Sequence, residues 1–131
     1  MEKENTFERF ERGGRLVLAG GEIPFADIPW SKHPAFEGVE LKAIVTSEQT
    51  AGEASFHLVR IAPDRAIGEH IHEAQTETHE VIAGKGVCVC EGAELPYEPG
   101  AIAVMPKGAP HEVRAGGEGL YLFAKFFPAL I

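Results

Sequence analysis

From Arg15 onward the chain alternates short apolar, often β-branched runs with turn-forming residues, and this pattern predicts extended strands. The runs cover residues 15–19, 39–47, 54–62, 68–72, 76–83, 87–90, 101–105, 111–115 and 120–127. The turn signals between them are Thr50-Ala-Gly, Pro63-Asp, Gly84-Lys-Gly, Glu91-Gly, Pro99-Gly, Pro106-Lys-Gly and Gly116-Gly. A loop holding Pro24, Pro29 and Pro34 follows the first run, with Trp30 and Phe36 as its expected anchors. One short helix is predicted over residues 5–12. Asn5 or Thr6 can cap it, Phe7 and Phe10 share a face, and Gly13-Gly14 ends it. Strands spaced by roughly ten residues, with no helical period between them, argue for an all-β antiparallel sandwich or barrel rather than a parallel βαβ sheet. No repeat or linker interrupts the pattern, so residues 1–131 are expected to form one domain.

Composition narrows the classes of partner. The 131 residues carry a net charge of −8, with no basic stripe, which excludes a nucleic-acid backbone as an expected partner. The early charges Glu2, Lys3, Glu4, Glu8, Arg9, Glu11 and Arg12 argue against a secretory signal, and the apolar run at residues 16–19 is too short for one. No run approaches the ~20 apolar residues of a membrane span. Cys88 and Cys90 sit two apart on an extended segment, so their side chains point the same way but too far apart for an unstrained disulfide. A reducing cytoplasm is the expected location. The apolar end Phe126-Phe127-Pro128, with Leu130 and Ile131, is expected to pack on the barrel or across a homodimer interface. His33, in its proline-flanked loop, is expected at the surface or at a subunit contact.

The chemistry concentrates in the histidines. His70 and His72 form His-x-His, and on a strand such residues share a face. Two imidazoles so placed can converge on one ion at about 2.0–2.1 Å. Glu77 follows after a gap long enough for the chain to turn, and His111 is the candidate third imidazole from a distant strand. Three neutral nitrogens and one oxygen suit one divalent transition metal per chain (Mn, Fe, Co, Ni, Cu or Zn) and not Ca or Mg. Four protein ligands leave positions open on a five- or six-coordinate ion. His79 lies two residues beyond Glu77 on the same strand and should face the same interior. It is the candidate catalytic residue, with an alternative ligand or a hydrogen-bonded wall residue as the other readings. Glu80 should alternate outward. His57 and Arg60 fall on opposite faces of one strand, so at most one lines the barrel; Tyr121 and Lys125 share a face of the last. Cys88 and Cys90 are expected as small core residues rather than soft ligands.

These residues also carry a resemblance. Residues 70–84, HIHEAQTETHEVIAG, resemble the first motif of the cupin superfamily: His-x-His, three or four residues, Glu, six residues, Gly. His70, His72, Glu77 and Gly84 fill its fixed positions; the family's leading Gly has no match at its usual spacing, Gly68 lying closer to His70. Residues 100–115, GAIAVMPKGAPHEVRA, resemble the second motif through Gly100, Pro106, Gly108 and His111, with Ala115 where the family has Asn. The two motifs, over 68–86 and 100–115, are separated by a short spacer as in small bacterial cupins. The resemblance implies a double-stranded β-helix, a jelly-roll barrel with His70, His72, Glu77 and His111 as ligands to a central metal. It implies that Gly84, Gly86, Gly100 and Gly108 make tight or positive-φ turns and that Pro106 stiffens the turn setting His111. Metal-containing cupins include dioxygenases, decarboxylases, isomerases and lyases, and the fold does not choose among them. Two classes stay open: a metal-dependent enzyme acting on a small oxygenated or anionic molecule, and a non-catalytic module binding a small, sugar-like ligand.

Overall fold

The computed structural model describes residues 5–131; Glu2, Lys3 and Glu4 of the charged N-terminal segment lie outside them. Helix α1 (Thr6–Glu8) continues as one π-helical turn over Arg9–Gly13. Asn5 caps it: the Asn5 side chain accepts from the Glu8 amide and the Glu8 carboxylate accepts from the Asn5 amide. The hairpin β1 (Arg15–Leu18) and β2 (Gly21–Pro24) follows, then a 3-10 turn over Phe25–Asp27.

The barrel is built from β3 (Ser31–Lys32), β4 (Val39–Val45), β5 (Ser55–Ile61), β6 (Ala66–His70), β7 (Thr76–Cys90), β8 (Ala93–Tyr97), β9 (Ile102–Met105) and β10 (His111–Phe127). All pairings are antiparallel, in the order β3-β4-β5-β10-β7-β8, with β6 added to β10 and β9 to β7. This is the all-β jelly-roll architecture that the sequence led us to expect.

Two of the expected turns turn out to be bends. Gly84-Lys-Gly lies inside β7 and Gly116-Gly inside β10, and the register of the pair slips between Ala115 and Leu120. Glycines permit this fold in the strands. Gly84 has φ +79°, and a Cβ there would lie 2.1 Å from the Gly119 carbonyl oxygen; one on Gly86 would lie 2.2 Å from that of Arg114. Each long strand thus serves two half-sheets. The first half of β7 pairs with β9 and the second half of β10, and its second half pairs with β8 and the first half of β10.

Several short elements escape the hydrophobic pattern, the two-residue β3 among them. Helix α2 (Ser47–Thr50) is set by a capping box between Thr46 and Gln49. β2 and β8 are mostly exposed and so show little apolar alternation. His72 also departs from expectation: the strand ends at His70, so the two rings do not share a strand face.

The sheet is buried on both sides. Val39, Val59, Ile61, Val81, Leu122 and Phe126 pack inward with Cys88, Met105 and Val113. Phe7, Phe25, Ile44 and Leu58 form a second cluster under the N-terminal segment, joined by Trp30 and Tyr121. Lys42, 2% exposed, fastens that segment by donating to the carbonyls of Glu11 and Phe25. Among the described residues no helix is long and apolar enough to cross a membrane.

Candidate metal centre

The bend in the β7–β10 pair is what makes a site. Glu77 opposes Phe126 at one end of the pair and His111 opposes Cys90 at the other. Folding the pair over brings His111 across the interior to Glu77, Nε2 to Oε1 3.0 Å. His70 is the register partner of His111 on β6, and His72 follows in the loop, its Nε2 3.6 Å from Glu77 Oε1. The ligand atoms of all four residues lie within 4.8 Å of one another. An ion held at ~2.1 Å keeps its ligands no more than ~4.2 Å apart, so small side-chain rotations bring this set to coordinating distance.

The donor chemistry fits as well. His70 Nδ1–H donates to the Gly68 carbonyl (2.8 Å) and His111 Nδ1–H to the Ala109 carbonyl (3.1 Å), which leaves both Nε2 atoms for an ion. The turn holding Pro106 and Gly108 serves two ligands. Gly108, at φ +80°, donates its amide to the His72 carbonyl, and Ala109 anchors His111.

Behind Glu77 stands His79. Its Nε2 lies 2.7 Å from Glu77 Oε2 and its Nδ1 2.7 Å from the Tyr97 hydroxyl. The arrangement that satisfies all three groups is Tyr97 O–H donating to Nδ1 and Nε2–H donating to Oε2. Glu77 therefore splits its oxygens, Oε1 toward His72 and His111 and Oε2 toward His79. Burial works against the Glu77 charge, but hydrogen bonds from His111 and His79 outweigh it and hold the carboxyl well below the usual range. Burial lowers His70 and His72. Burial lowers His111 too, but its hydrogen bond to Glu77 prevails and raises it. Burial, with the Cys88 thiol beside it, pushes Tyr97 far up, so its hydroxyl keeps its proton.

Tyr97 is the residue sequence reasoning missed. The hairpin around Glu91-Gly92 places it opposite Gly86, and an aromatic facing a glycine was the available signal. The other candidates divide cleanly between the faces. His57 lines the interior with its Nε2 2.9 Å from Ser55 Oγ. Arg60 lies on the outer face, on Trp30 and paired to Glu11 (2.8 Å) and Glu40 (3.1 Å). Tyr121 packs on Phe7, and Lys125 pairs with Glu80 at 2.5 Å. Cys88 is buried in the core, Cys90 is half-buried, and neither is in a disulfide. His33 is half-buried, its Nδ1 accepting from the amides of Ala35 and Phe36. The cluster opens on a cavity of about 520 Å³.

The model of the cupin domain matches residues 57–123, and the chain belongs to that family. An oxalate-binding protein of Thermotoga maritima is 25% identical over 80 residues, spanning 60% of this chain and 66% of that protein's own length. A crystal structure of a predicted oxalate decarboxylase from Thermotoga maritima superposes with a TM-score of 0.72 at 22% identity, covering 79% of this chain and 95% of that one. KdgF from a Halomonas species gives 0.68 at 19% identity, covering 76% and 87%. Both structural likenesses establish the fold.

Proposed function

We propose that this protein is a metal-dependent cupin enzyme acting on a small oxygenated or anionic molecule, by dioxygenase, isomerase, lyase or decarboxylase chemistry. The carrying observation is the convergence of His70, His72, Glu77 and His111 beside a cavity large enough for a small molecule. An ion there would supply a Lewis acid with open positions. The oxalate-binding relative favours a carboxylate among the candidate ligands. The reading takes in a homodimer in the cytoplasm; free Cys88 and Cys90 support the reducing compartment, and exposed Ile102 and Val104 on β9 offer a surface for the second copy.

His79 acts in this reading through Glu77. It holds Oε2 and so leaves Oε1 to the ion. His79→Gln is expected to keep about one metal per chain, since an amide can still donate to Glu77, while turnover of the substrate falls by at least ~10-fold, the usual minimum for disturbing a ligand's support. A screen of small carboxylates under air and under argon, following oxygen uptake and carbon dioxide release, finds that substrate. Unchanged turnover in the variant removes His79 from the mechanism, and no turnover of any compound favours the binding-module reading. That second reading draws on the cavity wall, where, among the described residues, His57 and His79 are the buried histidines besides the cluster.

Metal affinity should rise with pH. Each imidazole binds only when neutral, and His111, raised by Glu77, keeps its proton to a higher pH than usual. Glu77 stays ionised throughout and sets no limit. Metal is therefore expected to be held at neutral pH and lost below about pH 6, near the histidine range. Equilibrium dialysis across that range measures this, and full retention at pH 4 would contradict a site of three imidazoles and one carboxylate.

A further inference from the structure

The cavity beside the four ligands has an unbalanced wall. Its lining includes Leu41, Val59, Ile67, Ile71, Leu122 and Phe126, and among the described residues its one acidic side chain is Glu77. Among the described residues no Lys or Arg lines it. The two cations that could have served an anion, Arg60 and Lys125, are on the outer face and already paired with carboxylates. Besides the candidate ligands and His79, which is held between Glu77 and Tyr97, the polar side chains of the lining are Ser31, His33 and His57. Ser31 is exposed and His33 spends Nδ1 on two backbone amides. His57 spends Nε2 on Ser55, and burial lowers its pKa, so it brings no positive charge.

We infer that the molecule taken by this site carries one metal-binding oxygen group on an apolar body about the size of an aromatic ring, and is not a compact dianion. This rests on the metal-centre reading above. An ion can balance charge at one end of a ligand. A second carboxylate, or the outer oxygens of oxalate, would face aliphatic and aromatic carbon with no cation to replace the lost water. A ring in the same place buries apolar surface on both sides of the contact. The cavity, at about 520 Å³, has room well beyond a four-oxygen dianion.

The test uses cobalt(II)-loaded full chain and three probes: acetohydroxamate, benzohydroxamate and oxalate. The first two share one chelating head and differ by the ring. Cobalt's visible bands are recorded before any probe is added, so metal uptake is read separately from ligand preference. Benzohydroxamate is expected to bind at least ~10-fold tighter than acetohydroxamate, and tighter than oxalate, from burial of the ring. Leu41→Gln should cut the ring advantage to below ~3-fold, because it makes one wall polar without altering a metal-binding residue. If circular dichroism shows that variant unfolded, Ile71→Ser, at a half-exposed position on the same wall, replaces it. Equal binding of the two hydroxamates, tightest binding of oxalate, or a ring advantage indifferent to the wall variant overturns the inference while the metal reading stands. Absence of cobalt bands at the start overturns both.

Discussion

Replacing His111 by Ala should lower bound transition metal from about one ion per chain to less than about a tenth, as loss of one of four ligands to a borderline metal implies. The expectation follows from where His111 sits. It is 1% exposed, its Nδ1 is tied to the Ala109 carbonyl, and its Nε2 is aimed at Glu77. His79, held between Glu77 and Tyr97, and His57, engaged by Ser55, are not free to take its place. Elemental analysis of protein purified without a His-tag measures it, with His33→Ala as the control that should keep its metal. Wild-type protein with less than a tenth of an ion, or equal metal in His111→Ala, would remove the site.

The second large effect is expected far from any ligand. Gly84→Ala should destabilise the protein by about 2–4 kcal/mol, from a left-handed backbone position combined with a clash that only main-chain movement can relieve. The added methyl would sit 2.1 Å from the Gly119 carbonyl oxygen, and that oxygen belongs to the paired strand rather than to a flexible side chain. In a chain of this size the loss should appear as a fall in melting temperature on the order of 10 °C. The informative comparison is Gly92→Ala, also at positive φ (+81°) but with nothing near its Cβ. Gly92→Ala should cost clearly less, since only the backbone strain remains. Equal costs at the two positions would show that the close approach across the bend contributes nothing. Because the bend brings Glu77 and His111 together, Gly84→Ala should also weaken metal binding.

The strands that carry apolar alternation were legible in the sequence. β4, β5, β9 and both halves of β7 and β10 lie where the pattern put them. What was not legible was that Gly84-Lys-Gly and Gly116-Gly bend a strand instead of reversing it, since a glycine pair marks either and only tertiary pairing decides. β8 was missed because its outward residues leave no alternation to read. The four clustered residues were legible from spacing and motif together, although His72 reaches the cluster from a loop and not from the strand face. His79 was placed in the interior correctly by alternation, but its partner Tyr97 comes from a separate strand, and no local pattern links the two. Whether Arg60 and Lys125 face the interior was undecidable locally, because which face of a doubly buried sheet looks into the barrel depends on the N-terminal segment covering the other.

The four candidate ligands are unevenly anchored. Glu77 and His111 belong to β7 and β10, two long strands paired with each other from Thr76 to Cys90. His70 ends the short β6, which hangs on β10 alone, and His72 lies beyond it. Segments with one paired neighbour open at lower free energy than the strands of a core. An ion shared by all four would therefore fasten an easily opened edge to the part of the chain that opens only with the whole. Occupancy would be felt first as amide protection over residues 70–75, at temperatures where the rest of the barrel is indifferent to it. In such a protein the loop carrying His72 is the gauge of loading, and the melting of the barrel is a late and blunt one.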